Sequence, residues 1–542
     1  MQPWPWHGPG TLSHTHTNGS GKLVTLKGKP GSAGELTPVS PNDGSPLAPV
    51  RVSTIDEIRD AVARARIAQS HWRLRPLPER VRALKNAAKG MLARRAEAIE
   101  LVHEEMGKVP VEGIFNEALG PLDAVSGWAS VVEGAIVRPV RLNPFAFPKK
   151  RARVDFLPRG VIGVIAPWNF PLSGPMRSII PALLTGNGVV IKPSEYTPRS
   201  TAWLVEQFAR HLPDGLLHAV QGGGDVGAAL VDAGIDACVF TGSPATGRKV
   251  RIQCAEKGIP SSIEMGGKDA AIVLADCDLA RTVAGVSHWT LGNAGQACGA
   301  IEVAYVDARV ADAFVDHLKS AWERLRVGTH DLADVAPIAN QRQLDIIVAQ
   351  IADARAKGAT IVCGGSRVEP GLSFAPTIVD HAEEGMSVVD DETFGPVLAV
   401  VRVEGVAEAI AQVNRSRYGL GASIWSGDVA RAERLAERLD VGVVTINNHA
   451  FTGAIPALPW SGTRETGFGV ANGPESLATF VRPRATIVDE ATAPEMFWMP
   501  YDETLRELGD VLADAQIMRL LRAWKLPILM KKRVETVKRF FR

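Results

Sequence analysis

Two kinds of hydrophobic periodicity alternate along the chain, and together they predict an α/β fold. Near the N-terminus, Ser53–Trp72 and Pro78–Gly107 place apolar residues three and four positions apart, which predicts two helices. Farther on, short β-branched runs alternate with helical stretches, as expected for buried strands of parallel sheets that helices cover on both faces. The predicted strands are Val161–Trp168, Gly188–Glu195, Ala237–Ser243, Ala270–Asp276 and Gly442–Asn448.

Both ends of the chain depart from this pattern. Residues 1–34 are rich in Gly, Pro, Ser, Thr and His without apolar periodicity, which predicts a mobile N-terminal arm. Residues 489–542 form a C-terminal extension, and its segment Lys525–Arg542 carries seven Lys or Arg and one Glu among apolar residues. Such a basic amphipathic helix either docks on the protein or on a sister subunit, or contacts an anionic membrane surface. The sequence leaves these alternatives open.

Composition narrows the function classes. The 542 residues are 46% hydrophobic and 22% charged with a net charge of +1, which fits a globular protein with a sizeable core. That balance gives no electrostatic reason to expect a nucleic-acid partner. The five cysteines lie far apart without a CxxC pair, so neither a disulfide framework nor a metal site is predicted. Neither a secretory signal nor a run of roughly 18 apolar residues is visible, which makes the cytoplasm the expected compartment.

Three polar turns are candidates for cofactor binding. Gly222–Gly227 matches GxGxxG, but the acidic residue expected about 20 positions later is missing, so a simple tight turn explains it as well. Gly242–Gly247 follows a predicted strand and offers amide and hydroxyl donors to a pyrophosphate at a helix N-terminus. Lys192–Glu195 follows another strand, and its carboxylate can accept both hydroxyls of a ribose.

One cysteine and one glutamate are candidates for chemistry. Cys298 stands between small residues, a setting that suits either a buried hydrophobic side chain or a nucleophile. A cysteine attacks only as the thiolate, so it needs a neighbouring base or hydrogen-bond donors. Glu264 ends an apolar stretch and precedes Gly266 and Gly267, which allow another group to approach the backbone closely. The two side chains can act as nucleophile and base if the fold brings them together.

Taken in order, the motifs resemble those of the aldehyde dehydrogenase superfamily over roughly Leu36–Val488. Any one of them is a weak match, whereas seven in register are specific. The motifs are Pro167–Pro171, Lys192–Glu195, Phe240–Ser243 with Gly247, Glu264–Lys268, Gly295–Cys298, Glu392–Pro396 and Pro459–Gly462.

The resemblance implies an aldehyde-dehydrogenase-like α/β fold with three parts. A Rossmann-type cofactor domain would comprise residues 35–137 and 156–264, with a return at 441–478. An α/β catalytic domain would comprise residues 265–440. A small β bridging element, residues 138–155 and 479–488, would join subunits into a homodimer or homotetramer.

The resemblance also implies a role for each site residue. Cys298 would attack the aldehyde to form a thiohemiacetal and then a thioester, Asn169 and the Cys298 amide would hold the oxyanion, and Glu264 would activate the hydrolytic water. The product would be a free carboxylic acid. The implied cofactor contacts are Trp168, Lys192, Glu195, Gly242, Ser243, Gln343, Glu392 and Phe394. The charge of Glu195 opposes a 2′-phosphate and favours NAD, while Lys192 and Ser194 leave NADP open.

Two positions bear on the substrate. Gly292 stands where the family often carries a bulky aromatic residue, which predicts a wide substrate funnel. Arg177 matches one of two arginines that bind a substrate carboxylate in succinic semialdehyde enzymes; the second is absent, and an ion-paired helix residue is the structural alternative. We therefore predict oxidation of a medium-size aliphatic or aromatic aldehyde. The alternatives are a succinate-semialdehyde dehydrogenase, a fatty-aldehyde enzyme held at a membrane by its C-terminal extension, and a non-catalytic binding protein of the same fold.

Overall fold

The computed structural model describes residues 25–27, 34–144, 147–516 and 524–541. The described chain forms two compact units: the chain up to Ile136 with Leu157–Arg482, and Val137–Phe156 with the residues from Pro483 onward. Most of the predicted N-terminal arm lies outside the described residues. Thr25–Lys27 forms a strand, β1, that pairs antiparallel with β2 (Glu35–Thr37). The sequence did not predict this strand, because its backbone partners lie in the segment that follows the arm; the mobility of the arm stays a prediction.

Helices follow β3 (Val50–Arg51). Thr54 caps the first one in a capping box with Glu57, as its hydroxyl accepts from the Glu57 amide. The single helix predicted up to Gly107 is two helices in the structure, because Arg94 has a non-helical φ of −103° and ψ of 23°. These elements are α1 (Ile55–Trp72), α2 (Leu77–Ala93), α3 (Arg95–Met106), α4 (Pro110–Glu112), a π-helical turn (Gly113–Ala118), α5 (Gly120–Ala135), β4 (Val137–Val140) and β5 (Lys150–Pro158).

Five parallel strands form the first sheet, in the order β10-β9-β6-β7-β8. Three of the predicted strands lie in it, and β6 and β7 are buried along their whole length. The elements are β6 (Val161–Ile165), α6 (Ser173–Leu184), β7 (Gly188–Lys192), α7 (Pro198–Ala209), β8 (Leu217–Ala219), α8 (Gly224–Asp232), β9 (Ala237–Thr241), α9 (Pro244–Glu256) and β10 (Ser261–Glu264).

A second, seven-stranded sheet has the order β13-β16-β17-β12-β11-β19-β20, and only β13 runs antiparallel within it. The α/β prediction with parallel sheets is thus confirmed. The strands and short pairs in this region are β11 (Asp269–Val273), β12 (Ile301–Asp307), β13 (Thr360–Cys363), β14 (Arg367–Val368), β15 (Ser373–Phe374), β16 (Thr377–Asp380), β17 (Val397–Val403), β18 (Tyr418–Gly419), β19 (Gly421–Trp425) and β20 (Val443–Ile446). The helices are α10 (Leu279–Leu291), α11 (Ala308–Trp322), α12 (Gln341–Ala356), α13 (Ser387–Asp390), α14 (Val406–Arg415) and α15 (Val429–Ala436).

The predicted return to the cofactor domain at residue 441 is placed too early. β20 pairs with β19 and so belongs to the seven-stranded sheet. The chain reaches the five-stranded sheet after β20: the Gly469 amide donates to the Ile263 carbonyl and the Val470 amide to the Ser262 hydroxyl. An apolar run does not reveal which of two sheets it joins, which is why the boundary was missed. The short strands here are β21 (Trp460–Ser461), β22 (Thr463–Arg464) and β23 (Val470–Ala471).

The second unit combines a three-stranded sheet with a helical hairpin. Its sheet has the order β24-β5-β4, where β24 is Val481–Asp489, so both predicted bridging segments contain strands. The role of these strands in joining subunits stays a prediction. Two helices follow, α16 (Glu503–Gln516) and α17 (Leu526–Phe540). Among the described residues, no helix combines the length and the apolar character that crossing a bilayer requires.

The apolar face of α17 is covered within the unit. Leu529 packs in a cluster with Leu508 and Val511 of α16, and Val537 is fully buried. Arg533, also fully buried, donates to the carbonyls of Met496, Trp498 and Pro500. The buried stripe of α17 therefore faces its own unit. For this face, the structure agrees with a helix docked on the protein and not with one that inserts its apolar face into a membrane.

Candidate active site

The loop that carries Cys298 is shaped by three successive residues with left-handed backbone. Asn293, Ala294 and Gly295 have φ values of 55°, 54° and 73°. Glycine is required at the third position, because a Cβ on Gly295 would lie 2.0 Å from the carbonyl oxygen of Gly395. Strain of this kind is concentrated at functional sites, and here it holds Cys298 in a tight turn between α10 and β12.

Cys298 and Glu264 line the same pocket, together with Met265, Leu420 and Trp460. Burial raises the pKa of the Glu264 carboxyl to about 7, while the charge of Arg177 acts in the opposite direction. Burial likewise raises the pKa of the Cys298 thiol to about 12, opposed by Arg177 and reinforced by Glu264. A thiol that holds its proton beside a carboxylate that titrates near neutral pH is an arrangement for proton transfer.

Asn169 contacts the loop that precedes Cys298. Its side-chain Nδ2 donates to the Gln296 carbonyl at 3.1 Å, and its own carbonyl accepts from Lys108 Nζ at 3.2 Å and from Asn293 Nδ2 at 3.0 Å. An amide nitrogen has two N–H groups, so the contact with Gln296 leaves one of them available. This geometry suits a hydrogen-bond donor to a developing negative charge.

Two of the predicted cofactor turns follow strands of the five-stranded sheet. Ser243 precedes α9, whose first turn holds no acidic residue, and its hydroxyl donates to Thr246 Oγ1 at 3.1 Å. Lys192, at the end of β7, donates to the Pro193 carbonyl at 2.5 Å, to the Gly222 carbonyl at 3.1 Å and to Glu195 Oε2 at 3.4 Å. Ligands of parallel α/β sheets bind at these carboxyl ends.

Gly242 sits between β9 and Ser243 and has a packing role. A Cβ there would lie 2.8 Å from the ring of Phe240, while the Gly242 amide donates to the Glu264 carbonyl at 3.1 Å. Glycine at this position therefore leaves room for the Phe240 ring, and its amide joins the β9 turn to the end of β10, where Glu264 stands.

The glycines after Glu264 receive two groups from distant parts of the chain. A Cβ on Gly266 would lie 2.1 Å from the carboxylate of Glu392, and one on Gly267 would lie 2.8 Å from the Cys298 carbonyl oxygen. The Gly267 amide donates to Glu392 Oε1 at 3.1 Å. Burial, with Glu302 nearby, raises the pKa of Glu392 to about 8. The close approach predicted for these glycines is thus present.

Phe394 and Trp168 meet edge to face, with ring centroids 5.3 Å apart. Gln343 donates from Nε2 to the Thr393 carbonyl at 2.7 Å, so it supports the loop of Glu392 and Phe394 directly. A ribose contact of Gln343 stays a prediction.

Sequence reasoning missed the ion pair beneath this loop. Glu302 accepts from the Thr393 and Phe394 amides at 2.7 Å each and from Lys268 Nζ at 2.7 Å, and both charged side chains are buried. The sequence contains a signal for it: Glu302 is an acid near the start of the buried strand β12, and buried acids are rare unless paired.

Arg177 and Gly292, the two residues on which the substrate prediction rests, have different surroundings, and their place in a substrate funnel stays a prediction. The Arg177 guanidinium stacks over the Trp460 ring at 5.2 Å, and its Nε and Nη2 are buried without a hydrogen-bond partner among the described residues. The alternative of an ion-paired helix residue is therefore not what the structure has. A Cβ on Gly292 would meet nothing within 4 Å, which leaves open space beside Asn293.

This geometry agrees with the comparison to known proteins. The family model described as the aldehyde dehydrogenase family matches residues 29–486. The chain belongs to the aldehyde dehydrogenase family. Membership makes the protein an oxidoreductase of the aldehyde group, and the resemblance inferred from the seven motifs is confirmed.

Two curated relatives and one solved structure illustrate the family range. A Methylomonas sp protein, 4,4'-diapolycopene aldehyde oxidase, is 37% identical over 469 residues, which cover 86% of this chain and 88% of the relative. A Mycobacterium ulcerans protein, provisionally named succinate-semialdehyde dehydrogenase [NADP(+)] 2, is 32% identical over 443 residues, covering 81% and 85%. The aldehyde dehydrogenase of Mycobacterium tuberculosis, solved with NAD+, superposes with a TM-score of 0.80 at 31% identity, covering 86% of this chain and 97% of that one.

Proposed function

We propose that this family member oxidises an apolar aldehyde of medium size, aliphatic or aromatic, to the carboxylic acid with NAD(P). The observation that carries the proposal is the convergence of Cys298 and Glu264, 34 positions apart in sequence, on one pocket. Cys298 is the nucleophile, and Glu264 accepts its proton because the carboxyl titrates near neutral pH. The free N–H of Asn169 and the backbone N–H of Cys298 hold the oxygen of the thiohemiacetal.

Glu264 acts a second time after the thioester has formed and the proton taken from Cys298 has passed to solvent. As a carboxylate in an apolar pocket it draws a proton from the attacking water, which lets the acid leave and returns the thiol. A base with a pKa near 7 suits this step, since about half of it is ionised at neutral pH and the ionised form is basic enough to take a proton from water.

The residues fit a dinucleotide cofactor. Ser243 and Thr246 at the N-terminus of α9 suit a pyrophosphate, and Glu195 with Lys192 suits an adenosine ribose. Glu392, whose buried carboxylate lies over Gly266, suits the second ribose, with Phe394 and Trp168 beside the ring. The cofactor supplies hydride acceptance when bound. The Glu195 carboxylate, which is 37% exposed, favours NAD because its charge opposes the 2′-phosphate of NADP. The similar proteins include both one solved with NAD+ and one named for NADP(+).

The test of this function is a pair of cysteine substitutions. Cys298→Ala is expected to reduce NADH formation from any aldehyde by on the order of 10⁴-fold or more, as loss of a nucleophile does. Cys277→Ala, at another half-buried free thiol, is expected to leave it unchanged. If Cys298→Ala retains turnover, or if no aldehyde gives NADH with the unmodified protein, the proposal fails and a non-catalytic binding protein takes its place.

An apolar substrate is supported by the pocket wall and by a relative. Trp460 and Leu420 line the pocket beside Cys298, and Gly292 leaves open space. The Methylomonas relative is named for an aldehyde of diapolycopene. A panel of aldehydes of graded chain length is expected to show kcat/KM rising with apolar length, and Gly292→Phe to restrict that range to short substrates.

Succinic semialdehyde is the second candidate, because Arg177 holds an unpaired charge near the pocket. A preference of kcat/KM for ω-carboxylated over neutral aldehydes, lost in Arg177→Met, would favour it. No such preference would remove it.

We also propose that the C-terminal extension binds an anionic lipid surface. The residues that would bind it are not those of the apolar face of α17. Phe497, Trp498, Met499 and Tyr501 are each more than half exposed on the loop that Arg533 holds. The outward face of α17 is basic, with exposed lysines and arginines at 531, 532, 538 and 539. Aromatic side chains beside basic ones favour a lipid interface.

Vesicle co-sedimentation tests this assignment. Binding is expected with phosphatidylglycerol vesicles, weakened at high salt and in Trp498→Ala, and absent with neutral vesicles. If as much protein sediments without vesicles as with them, or if Trp498→Ala changes the number of subunits, the same residues contact a sister subunit instead.

A homodimer or homotetramer belongs to the same proposal. β24 and β4 are the outer strands of the three-stranded sheet, and Val137, Val140 and Ile487 on them are exposed. Light scattering is expected to give two or four subunits, and Ile487→Lys to reduce that number. A cytoplasmic location stays a prediction.

A further inference from the structure

We infer that Glu112, with the buried Lys108–Glu117 ion pair, positions the two loops that carry the oxyanion donors. These residues lie in the segment from Lys108 to Ala118, called the clamp segment here. The inference rests on the proposed function, because it concerns how Asn169 and the Cys298 loop are held.

The clamp segment departs from α-helical geometry between Glu112 and Glu117, the two carboxylates that contact the loops. Gly113–Ala118 is a π-helical turn, in which the Leu119 amide donates to the carbonyl of Ile114, five positions back. In an α-helix, residues five apart point about 140° away from each other around the axis. A π-turn brings such residues close to one face, and π-turns are concentrated at functional sites. The turn thus lets Glu112 and Glu117 both reach the pocket loops.

Glu112 holds the loop of the nucleophile. Its Oε1 accepts from the backbone amide of Asn293 at 2.6 Å, at the first of the three left-handed residues that precede Cys298. Asn293 in turn donates from Nδ2 to the carbonyls of Asn169 and Gln296, at 3.0 Å each. Fixing Asn293 therefore fixes the distance between the two loops.

The Lys108–Glu117 pair holds the other loop. Lys108 Nζ donates to Glu117 Oε1 at 2.6 Å and to the Asn169 carbonyl at 3.2 Å, and both charged side chains are buried. Glu117 Oε2 accepts from the Leu172 and Ser173 amides, at 3.1 and 2.8 Å, where α6 begins. The Asn169 loop is thus anchored on both sides by the same segment.

Stability alone does not account for Glu112. Its Oε2 is buried without a hydrogen-bond partner among the described residues, and burial raises the pKa of its carboxyl. A buried acid with an unpaired oxygen is less favourable than an apolar side chain of similar size. What Glu112 contributes instead is its hydrogen bond to the Asn293 amide, which holds the loop of Cys298.

A double-mutant cycle with Asn169 tests the inference. The readout is the single-turnover rate of NADH formation, which reports thiohemiacetal formation and hydride loss. Loss of one oxyanion donor typically slows such a step by about 10²–10³-fold. Glu112→Ala is expected to slow it by about 10- to 100-fold, and Glu112→Gln, which keeps an acceptor oxygen, to stay within about threefold of the unmodified protein. In an Asn169→Ala background, Glu112→Ala is expected to add little, because the donor it positions is gone.

Glu105 provides the matched control. It is a buried glutamate of α3 that accepts from the Arg199 and Ser200 amides at the start of α7, at 2.9 and 2.8 Å, as Glu117 does at the start of α6. Glu105→Ala is expected to lower the melting temperature and to leave the single-turnover rate within about threefold. The alkylation rate of Cys298 by iodoacetamide is expected to stay unchanged in Glu112→Gln.

The outcomes separate the inference from the proposed function. Three results would overturn the inference while aldehyde oxidation remained. They are a Glu112→Ala protein as fast as the unmodified one, a Glu112→Ala effect that adds fully to that of Asn169→Ala, and a Glu112→Gln protein as slow as Glu112→Ala. If Glu112→Ala does not fold, Glu112→Met, which fills the same space, takes its place in the cycle with the same expectations. Absence of NADH from every aldehyde in the unmodified protein would instead remove the proposed function.

Discussion

Buried charges in the catalytic pocket and in the scaffold beneath it have opposite surroundings. The pKa of Glu264 responds to burial and to the charge of Arg177, with no hydrogen bond among the influences on it. Glu302, at the base of the Glu392 loop, accepts two backbone amides and the ammonium of Lys268. A carboxyl without such partners holds its proton until near neutral pH and can exchange it, whereas a paired carboxylate fixes a loop. The difference separates a carboxyl that can exchange a proton near neutral pH from one that holds a loop.

Breaking the paired scaffold is expected to have the largest effect. Glu302→Ala leaves the Lys268 ammonium buried without its carboxylate, and the loss of one partner of a buried pair typically costs about 3–5 kcal/mol of unfolding free energy. Denaturant unfolding measures this, with Glu433→Ala on the exposed surface of α15 as the control, expected to stay within about 0.5 kcal/mol. A loss below about 1 kcal/mol for Glu302→Ala would mean that the pair does not hold the loop.

Removing the unpaired carboxyl is expected to change turnover more than stability. Glu264→Gln should allow an initial burst of NADH and then slow steady turnover by on the order of 10²-fold or more, since the amide cannot take a proton from water. Stopped-flow absorbance followed by steady-state assay measures both phases. Unchanged steady turnover would show that another group is the base.

The pH dependence should follow the same carboxyl. With a pKa of about 7, Glu264 is mostly ionised at pH 8 and mostly protonated at pH 6, so base catalysis falls as pH is lowered through this range. Steady turnover at saturating substrate is expected to drop by about 10-fold from pH 8 to pH 6. The inflection should disappear in Glu264→Gln; its persistence there would assign it to another group, with Glu392, whose pKa is about 8, the first to examine.

The smallest effect concerns cofactor choice. Glu195→Gln removes a charge that opposes a 2′-phosphate while keeping a group able to bind ribose hydroxyls. The ratio of kcat/KM with NADP to that with NAD is expected to rise by roughly 3- to 10-fold, since Glu195 is partly exposed and its charge is screened. Glu206→Gln, at a mostly exposed glutamate of α7, serves as the control. A ratio that does not move would remove Glu195 from cofactor selection.

Local sequence was sufficient for the strands and for the family. The runs that became β6, β7, β9, β11 and β20 are apolar over most of their length, and only burial inside a helix-covered sheet satisfies such runs. Tight motifs such as Gly266–Gly267 were informative because only glycine lets the Glu392 carboxylate and the Cys298 carbonyl approach so closely.

Long-range pairing was not visible in the chain. That β20 joins the seven-stranded sheet depends on which neighbour offers free backbone groups, and an apolar run is equally suited to either sheet. The clamp segment shows the same limit: Lys108 and Glu117 resemble ordinary surface residues in the sequence, and neither their buried ion pair nor the π-turn that contains Glu117 is revealed by sequence periodicity.

By itself, then, the sequence determined the fold class and the family, because apolar periodicity depends on neighbouring residues and each family motif is a short local segment. Only the tertiary structure decided which carboxyls would be paired and which left to titrate, and that α17 would cover its apolar stripe with its own unit. Those outcomes depend on partners tens of positions away in the chain, since burial and hydrogen bonding are properties of the space around a side chain.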